Sequence, residues 1–273
     1  MMSAVPRIPA TSGLSAGGVY YEVHGDGVPL FLGFPVLASY AQVFGSVVAH
    51  VKQGFLDRLT DRYRVLLVDY PSIGGSATIP PAELTLDRAC TDLLAVADAA
   101  GFERFAWWGG TFGAVAGLAL AARSDRVTAL VCAGWPPLGA PYAEMARGAL
   151  AQLADPPMHA RVMLREPAQY AQWPSFYASV AAADAAGQLA RIRCPRSVIY
   201  GADAESSVGD VPLPLAATIR ARRAELERAG WRLDEIAGAD ATLILDPARL
   251  VPAARAFLDS VLPYSSISRG YSS

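Results

Sequence analysis

Histidine, cysteine and lysine are all scarce in this sequence, and each scarcity removes a class of chemistry. The chain has 273 residues and three cysteines. Cys90, Cys132 and Cys194 lie far apart in largely apolar surroundings, which gives neither a disulfide framework nor zinc-ligand spacing. They read as buried thiols of a reducing cytoplasm. Lys52 is the only lysine, so Schiff-base chemistry has at most one place to occur. The three histidines, His24, His50 and His159, leave the C-terminal third without an imidazole.

Charge of one sign is missing as well. There are 23 basic and 25 acidic residues and a net charge of -2, which provides no footprint for nucleic acid or for an anionic membrane. The mean hydropathy is +0.27, yet no stretch reads as a membrane span. Residues 105–122 carry no charge and are just long enough to cross a bilayer. Their middle, Gly109-Gly110-Thr111-Phe112-Gly113, reads instead as a turn between a strand and a helix. Residues 1–18 contain no continuous apolar core of the kind a secretory signal needs. The expectation is a soluble, cytoplasmic protein whose length permits one large α/β domain or two small ones.

What is present is an alternation of strand and helix signals. Gly18–Val23 and Pro29–Leu32 are β-type runs separated by Gly25-Asp26-Gly27, a hairpin signal. Val65–Val68 is a continuous apolar run ending at Asp69, as in a strand buried on both faces of a parallel sheet. Asp92–Ala100 has helical spacing and stops at Gly101. Phe105–Trp108 reads as a strand, Phe112–Arg123 as a helix and Val127–Ala133 as a strand, which together argue for βαβ units on a parallel sheet. After Trp135-Pro136-Pro137 the pattern turns alanine-rich and helical without a clear strand. Arg196–Tyr200 resumes the sheet, followed by a helix over Leu215–Ala229, a strand over Trp231–Ile236 and a closing helix over Pro247–Leu262. The polar tail from Ser265 onward reads as frayed.

Gly109-Gly110-Thr111-Phe112-Gly113 follows a strand and opens a helix, the setting of a G-x-S-x-G nucleophile elbow with threonine in place of serine. Other segments stand in matching order: Leu32-Gly33-Phe34-Pro35 after a strand, Asp69-Tyr70-Pro71-Ser72-Ile73-Gly74-Gly75-Ser76, Ala121–Val131, Tyr200-Gly201-Ala202-Asp203, and Gly238–Leu258 around Asp246-Pro247. On these residues the chain, over roughly 18–262, resembles the α/β-hydrolase fold superfamily as a divergent member. The resemblance implies a mostly parallel central sheet flanked by helices, a core of residues 1–135 and 191–262, and a helical lid over 136–190. The polar tail is then 263–273.

The same resemblance implies a Ser-His-Asp relay, and the chain departs from it at each position. Counting back from Asp246-Pro247, the place of the histidine falls on Asp240. The acid loop is ambiguous, since family spacing from Gly201 lands on Ala204 with Asp203 and Glu205 on either side. Without an imidazole near neutrality, no group takes and returns the hydroxyl proton. A β-branched threonine at the elbow is also strained where φ is positive, and it is a poor nucleophile without a base. The backbone N–H groups of Phe34 and Phe112 stand at the family's oxyanion positions, and neither is proline.

Thr111 and Asp240 are therefore the candidate catalytic residues. Two readings of Asp240 stand open, a base whose pKa a dry pocket raises and a solvated turn carboxylate. Thr111 contacts a substrate or merely fills the elbow. His159 is either a surrogate base reaching in from the lid or a surface histidine. Trp135, Tyr170, Trp173 and Phe176 are expected to line an apolar pocket. Asp69 and Ser76 are expected to organise their own loop, and Arg220, Arg222 and Arg223 to form a solvated helix face. No metal or cofactor is implied. The expected partner is a hydrophobic small molecule, with no nucleic acid and no membrane, and nothing bears on oligomeric state. Three functions follow: a non-hydrolytic cyclase, lyase or isomerase of natural-product type that uses the oxyanion donors, an atypical esterase or amidase with Thr111 as nucleophile, and an inactive small-molecule binder.

Overall fold

The computed structural model describes residues 9–183 and 185–263. At its centre an eight-stranded sheet contains β1 (Thr11–Leu14), β2 (Tyr20–His24), β3 (Val28–Leu32), β4 (Tyr63–Val68), β5 (Phe105–Gly110), β6 (Val127–Ala133) and β7 (Arg196–Gly201). A separate hairpin of β8 (Ser206–Val208) and β9 (Val211–Leu213) comes next in the chain, and β10 (Trp231–Ile236) closes the sheet. In space the order is β1-β2-β4-β3-β5-β6-β7-β10. The β1–β2 and β2–β4 pairs are antiparallel and the other pairs parallel.

The helices are α1 (Tyr40–Phe44), α2 (Ala49–Leu59), α3 (Leu86–Ala99), α4 (Phe112–Arg123), α5 (Tyr142–Ala151), α6 (Met158–Met163), α7 (Gln172–Ala181), α8 (Ala185–Arg191), α9 (Leu215–Ala221), α10 (Arg223–Arg228) and α11 (Pro247–Val261). Local chemistry accounts for several boundaries. Thr85 caps α3 by accepting from the Arg88 amide at 3.2 Å, and Gly101, at φ +69°, lies just past its C-terminal end. Asp246 caps α11, accepting from the amides of Ala248 and Arg249. The central strands β4, β5 and β6 are buried almost throughout, which is why they read as unbroken apolar runs. No helix of the described residues is long and apolar enough to cross a membrane.

The expected β2–β3 hairpin does not form, because β4 lies between the two strands and pairs with both. Gly25 and Gly27 do take positive φ. Their turn, however, is pressed against the start of β4: a Cβ on Gly25 would come within 2.7 Å of the Tyr63 carbonyl oxygen, and one on Gly27 within 2.1 Å of that of Arg62. These glycines allow the chain to step around a strand rather than fold back on itself. The expected helix over 215–229 is broken at Arg222, where φ is -107° and ψ 7°, into α9 and α10. The edge strand β1, helix α2 and the β8–β9 hairpin lay outside the sequence reading, and the expected frayed tail from Ser265 lies outside the described residues. Between β6 and β7 stand α5 to α8, with α5 packed on α7 and on the β8–β9 hairpin.

Candidate active site

Thr111 joins β5 to α4 with φ 45° and ψ -115°, one of two non-glycine residues at positive φ among those described. The turn is held by contacts that only glycine permits. A Cβ on Gly109 would meet the Gly113 carbonyl carbon at 2.5 Å, and one on Gly113 would meet Phe34 O at 2.7 Å and Phe34 N at 2.8 Å. Strand, helix and the turn after β3 therefore touch backbone to backbone. Two hydrogen bonds fix this contact: Gly110 N–H donates to Phe34 O at 2.7 Å, and Trp107 Nε1–H donates to Gly113 O at 2.9 Å.

The two expected oxyanion donors differ. Phe112 opens α4, so its N–H has no partner within the helix, and it makes no hydrogen bond among the described residues. The Phe34 N–H is already taken, because it donates to the Tyr70 hydroxyl at 2.9 Å. Gly33 makes room for that contact, since a Cβ there would lie 3.0 Å from the hydroxyl. Burial pushes the Tyr70 phenol well above its ordinary pKa, so the oxygen stays protonated. The expectation of two open donors is thus corrected to one, on the physical ground that a buried tyrosine satisfies the other.

The candidate base is corrected too. Asp240 is exposed, and its carboxylate caps the short 3₁₀ turn Ala241–Leu245, accepting from the Thr242 amide at 2.8 Å and the Thr242 hydroxyl at 2.6 Å. These bonds hold its pKa below the usual carboxylate range, opposite to the rise that general-base duty at neutral pH requires. In the acid loop the buried position belongs to Ala204, while Asp203 and Glu205 are both exposed. Thr111 does not cap α4, and no hydrogen bond ties its hydroxyl to a base among the described residues.

Above the elbow lies a cavity of about 310 Å³. Thr111, Phe112, Phe34 and Trp135 form its floor, and Tyr170, Trp173, Tyr177, Met145 and Gln152 of the helical insertion form one wall. The β8–β9 hairpin contributes Ser206–Gly209 and Leu213. Trp135, Tyr170 and Trp173 all line the cavity. Phe176 does not line the cavity: it is fully buried and packs on the Phe112 ring at 4.2 Å, so it supports the floor from behind. Tyr70 and Trp173 meet the same ring at 4.7 and 5.5 Å. No Asp, Glu, Lys or Arg lines the cavity. His159 stands at its rim, exposed on one side, with burial of the other lowering its pKa, so the imidazole is neutral at pH 7.

Sequence reasoning missed the hairpin wall, although Ser206-Ser207-Val208 and Val211-Pro212-Leu213 flank Gly209-Asp210, a two-residue turn signal. Asp69 does organise its loop, accepting from Ser39 N at 2.9 Å and Gly75 N at 2.8 Å, and Ser76 Oγ donates to Asp69 O. Among the described residues no three His, Cys, Asp or Glu side chains converge as a metal cage requires.

The model of the alpha/beta hydrolase fold family matches residues 44–191, more than half of the chain. The chain belongs to the α/β-hydrolase fold family. No curated protein matches it. A thermophilic esterase from Thermogutta terrifontis superposes with a TM-score of 0.66 at 18% identity, covering 94% of this chain and 99% of that one. The enol-lactonase from Burkholderia xenovorans gives 0.64 at 20%, covering 92% and 98%. An epoxide hydrolase from Vigna radiata gives 0.64 at 14%, covering 92% and 97%. At such identities the shared property is the fold. In this chain the residue at the strand-to-helix turn is Thr111, at φ 45°, and its hydroxyl makes no hydrogen bond to a histidine among the described residues.

Proposed function

We propose that this protein binds a neutral, largely apolar small molecule in the cavity above Thr111 and acts on it without hydrolysis. One observation carries the reading: the Thr111 hydroxyl has no base bonded to it, because the position of the family's histidine is an exposed Asp240 turned onto Thr242. Acyl transfer needs an activated nucleophile, whereas a cyclisation, elimination or isomerisation is promoted by holding one reactive conformation and polarising one bond. The rigid aromatic floor supplies the shape, and the Phe112 N–H supplies the polarising donor. Residues 136–190 then act as the lid, a role supported by the insertion's share of the cavity lining.

A second reading has its own support. His159 and Thr111 line one cavity, and the imidazole is neutral, the form a general base needs. In that reading Thr111 is the nucleophile of an esterase, the chemistry named for one of the structural neighbours. A panel of p-nitrophenyl esters separates the two. The expected result is that the native chain turns over no ester faster than its Thr111→Ala variant. Turnover abolished by Thr111→Ala, and also by His159→Gln, would overturn the non-hydrolytic reading in favour of the second.

A further inference from the structure

The insertion wall carries one oriented polar group. Gln152 stands just past the C-terminal end of α5 and lines the cavity. The Tyr170 hydroxyl donates to Gln152 Oε1 at 2.7 Å. A carboxamide has one acceptor oxygen and one donor NH₂. With the oxygen engaged by a buried tyrosine, the amide is held in one of its two orientations, and Nε2 has no acceptor among the described residues. The β8–β9 turn leaves space beside it. Gly209, at φ +59°, has no side chain, and a Cβ there would already approach Nε2 to 3.5 Å.

We infer that Gln152 is the specificity-determining donor of this cavity, and that it selects neutral apolar molecules carrying a carbonyl oxygen. Tyr170 is the positioning residue, since its hydroxyl decides which end of the amide faces the ligand. The lining explains the rest of the selectivity. With no charged side chain in the cavity, an ionised ligand finds no counter-ion and gives up its hydration without return. An alcohol can accept from the amide but leaves its own proton to find another acceptor, and a hydrocarbon leaves the NH₂ unpaired. The inference rests on the proposal that the cavity binds apolar small molecules, and it adds the functional group that such a molecule presents to the insertion.

Matched naphthalenes test it: 2-acetylnaphthalene, 1-(2-naphthyl)ethanol and 2-ethylnaphthalene, with affinities read from quenching of the cavity tryptophans. The native chain is expected to prefer the ketone over the hydrocarbon by about tenfold, the size of one hydrogen bond. Gln152→Glu keeps an acceptor for Tyr170 but presents no NH₂, so the preference for the ketone over the hydrocarbon is expected to vanish. Gln152→Leu is expected to do the same. In Tyr170→Phe the amide is free to turn over, and the ketone-to-alcohol ratio is expected to fall towards one. Far-UV circular dichroism and the denaturant midpoint of each variant show that it is folded. A ketone preference that survives in both Gln152 variants would overturn this inference and leave the binding proposal standing. Failure of the native chain to bind any of the three compounds would overturn both.

Discussion

On the core wall of the cavity, positions are fixed by main chain. Gly109, Gly113 and the Phe34 turn interlock at backbone contact distances, and Thr111 is held at φ 45° because its neighbours leave no alternative. On the insertion wall a polar group is placed by a side chain, Tyr170 aiming Gln152, while the hairpin of β8 and β9 meets α5 at Gly148, where a Cβ would lie 2.6 Å from Val208 O. The difference separates what the backbone fixes from what side chains fix. The insertion wall is the one whose side chains can change without disturbing the sheet.

The two walls should break in different ways. Gly109→Ala forces a Cβ into the Gly113 backbone in the centre of the core and is expected to destabilise the whole protein by about 3 kcal/mol or more. Gly148→Ala strains only the contact between α5 and the hairpin, for which about 1–2 kcal/mol is expected, with looser ligand binding. Denaturant midpoints measure both. Equal losses would mean that the insertion is as integral to the core as the elbow is.

Tyr70→Phe sharpens the account of the core wall. It leaves the Phe34 N–H without its acceptor and is expected to lower stability by about 1 kcal/mol, seen as a shift in denaturant midpoint at constant slope. No loss would show that the amide finds another partner at once, and the correction from two open donors to one would need revision.

The smallest effect belongs to the rim. Burial lowers the His159 pKa, so the unfolded chain binds a proton more readily than the folded one as pH drops below about 6.5. The associated stability is present above that value and is lost as pH falls from there to the folded pKa. Thermal melts between pH 5 and 8 should therefore be flatter in His159→Gln than in the native chain. An identical pH profile would mean that the imidazole is as hydrated when folded as when unfolded.

Much of the fold was legible. The boundaries of α4 and β6 follow from apolar runs and their stops, because a strand buried on both faces and a buried helix leave continuous signatures. The two Gly-Asp turns show where local signals fail. Gly25-Asp26-Gly27 resembles a hairpin turn but carries the chain around β4, whereas Gly209-Asp210 does close a hairpin and passed unread. The residues are nearly the same, and which strand lies beside them decides the outcome.

The sequence by itself determined the α/β-hydrolase fold and the placing of its three histidines at 24, 50 and 159, since neither an elbow spacing nor the count of imidazoles depends on coordinates. Only the tertiary structure decided that Asp240 faces solvent, that Tyr70 occupies the Phe34 amide and that Phe176 stands behind the cavity rather than in it. Each of these is a question of which partner a polar or aromatic group finds across a long stretch of chain. Spacing along the sequence carries no record of such a choice, which packing and desolvation settle together.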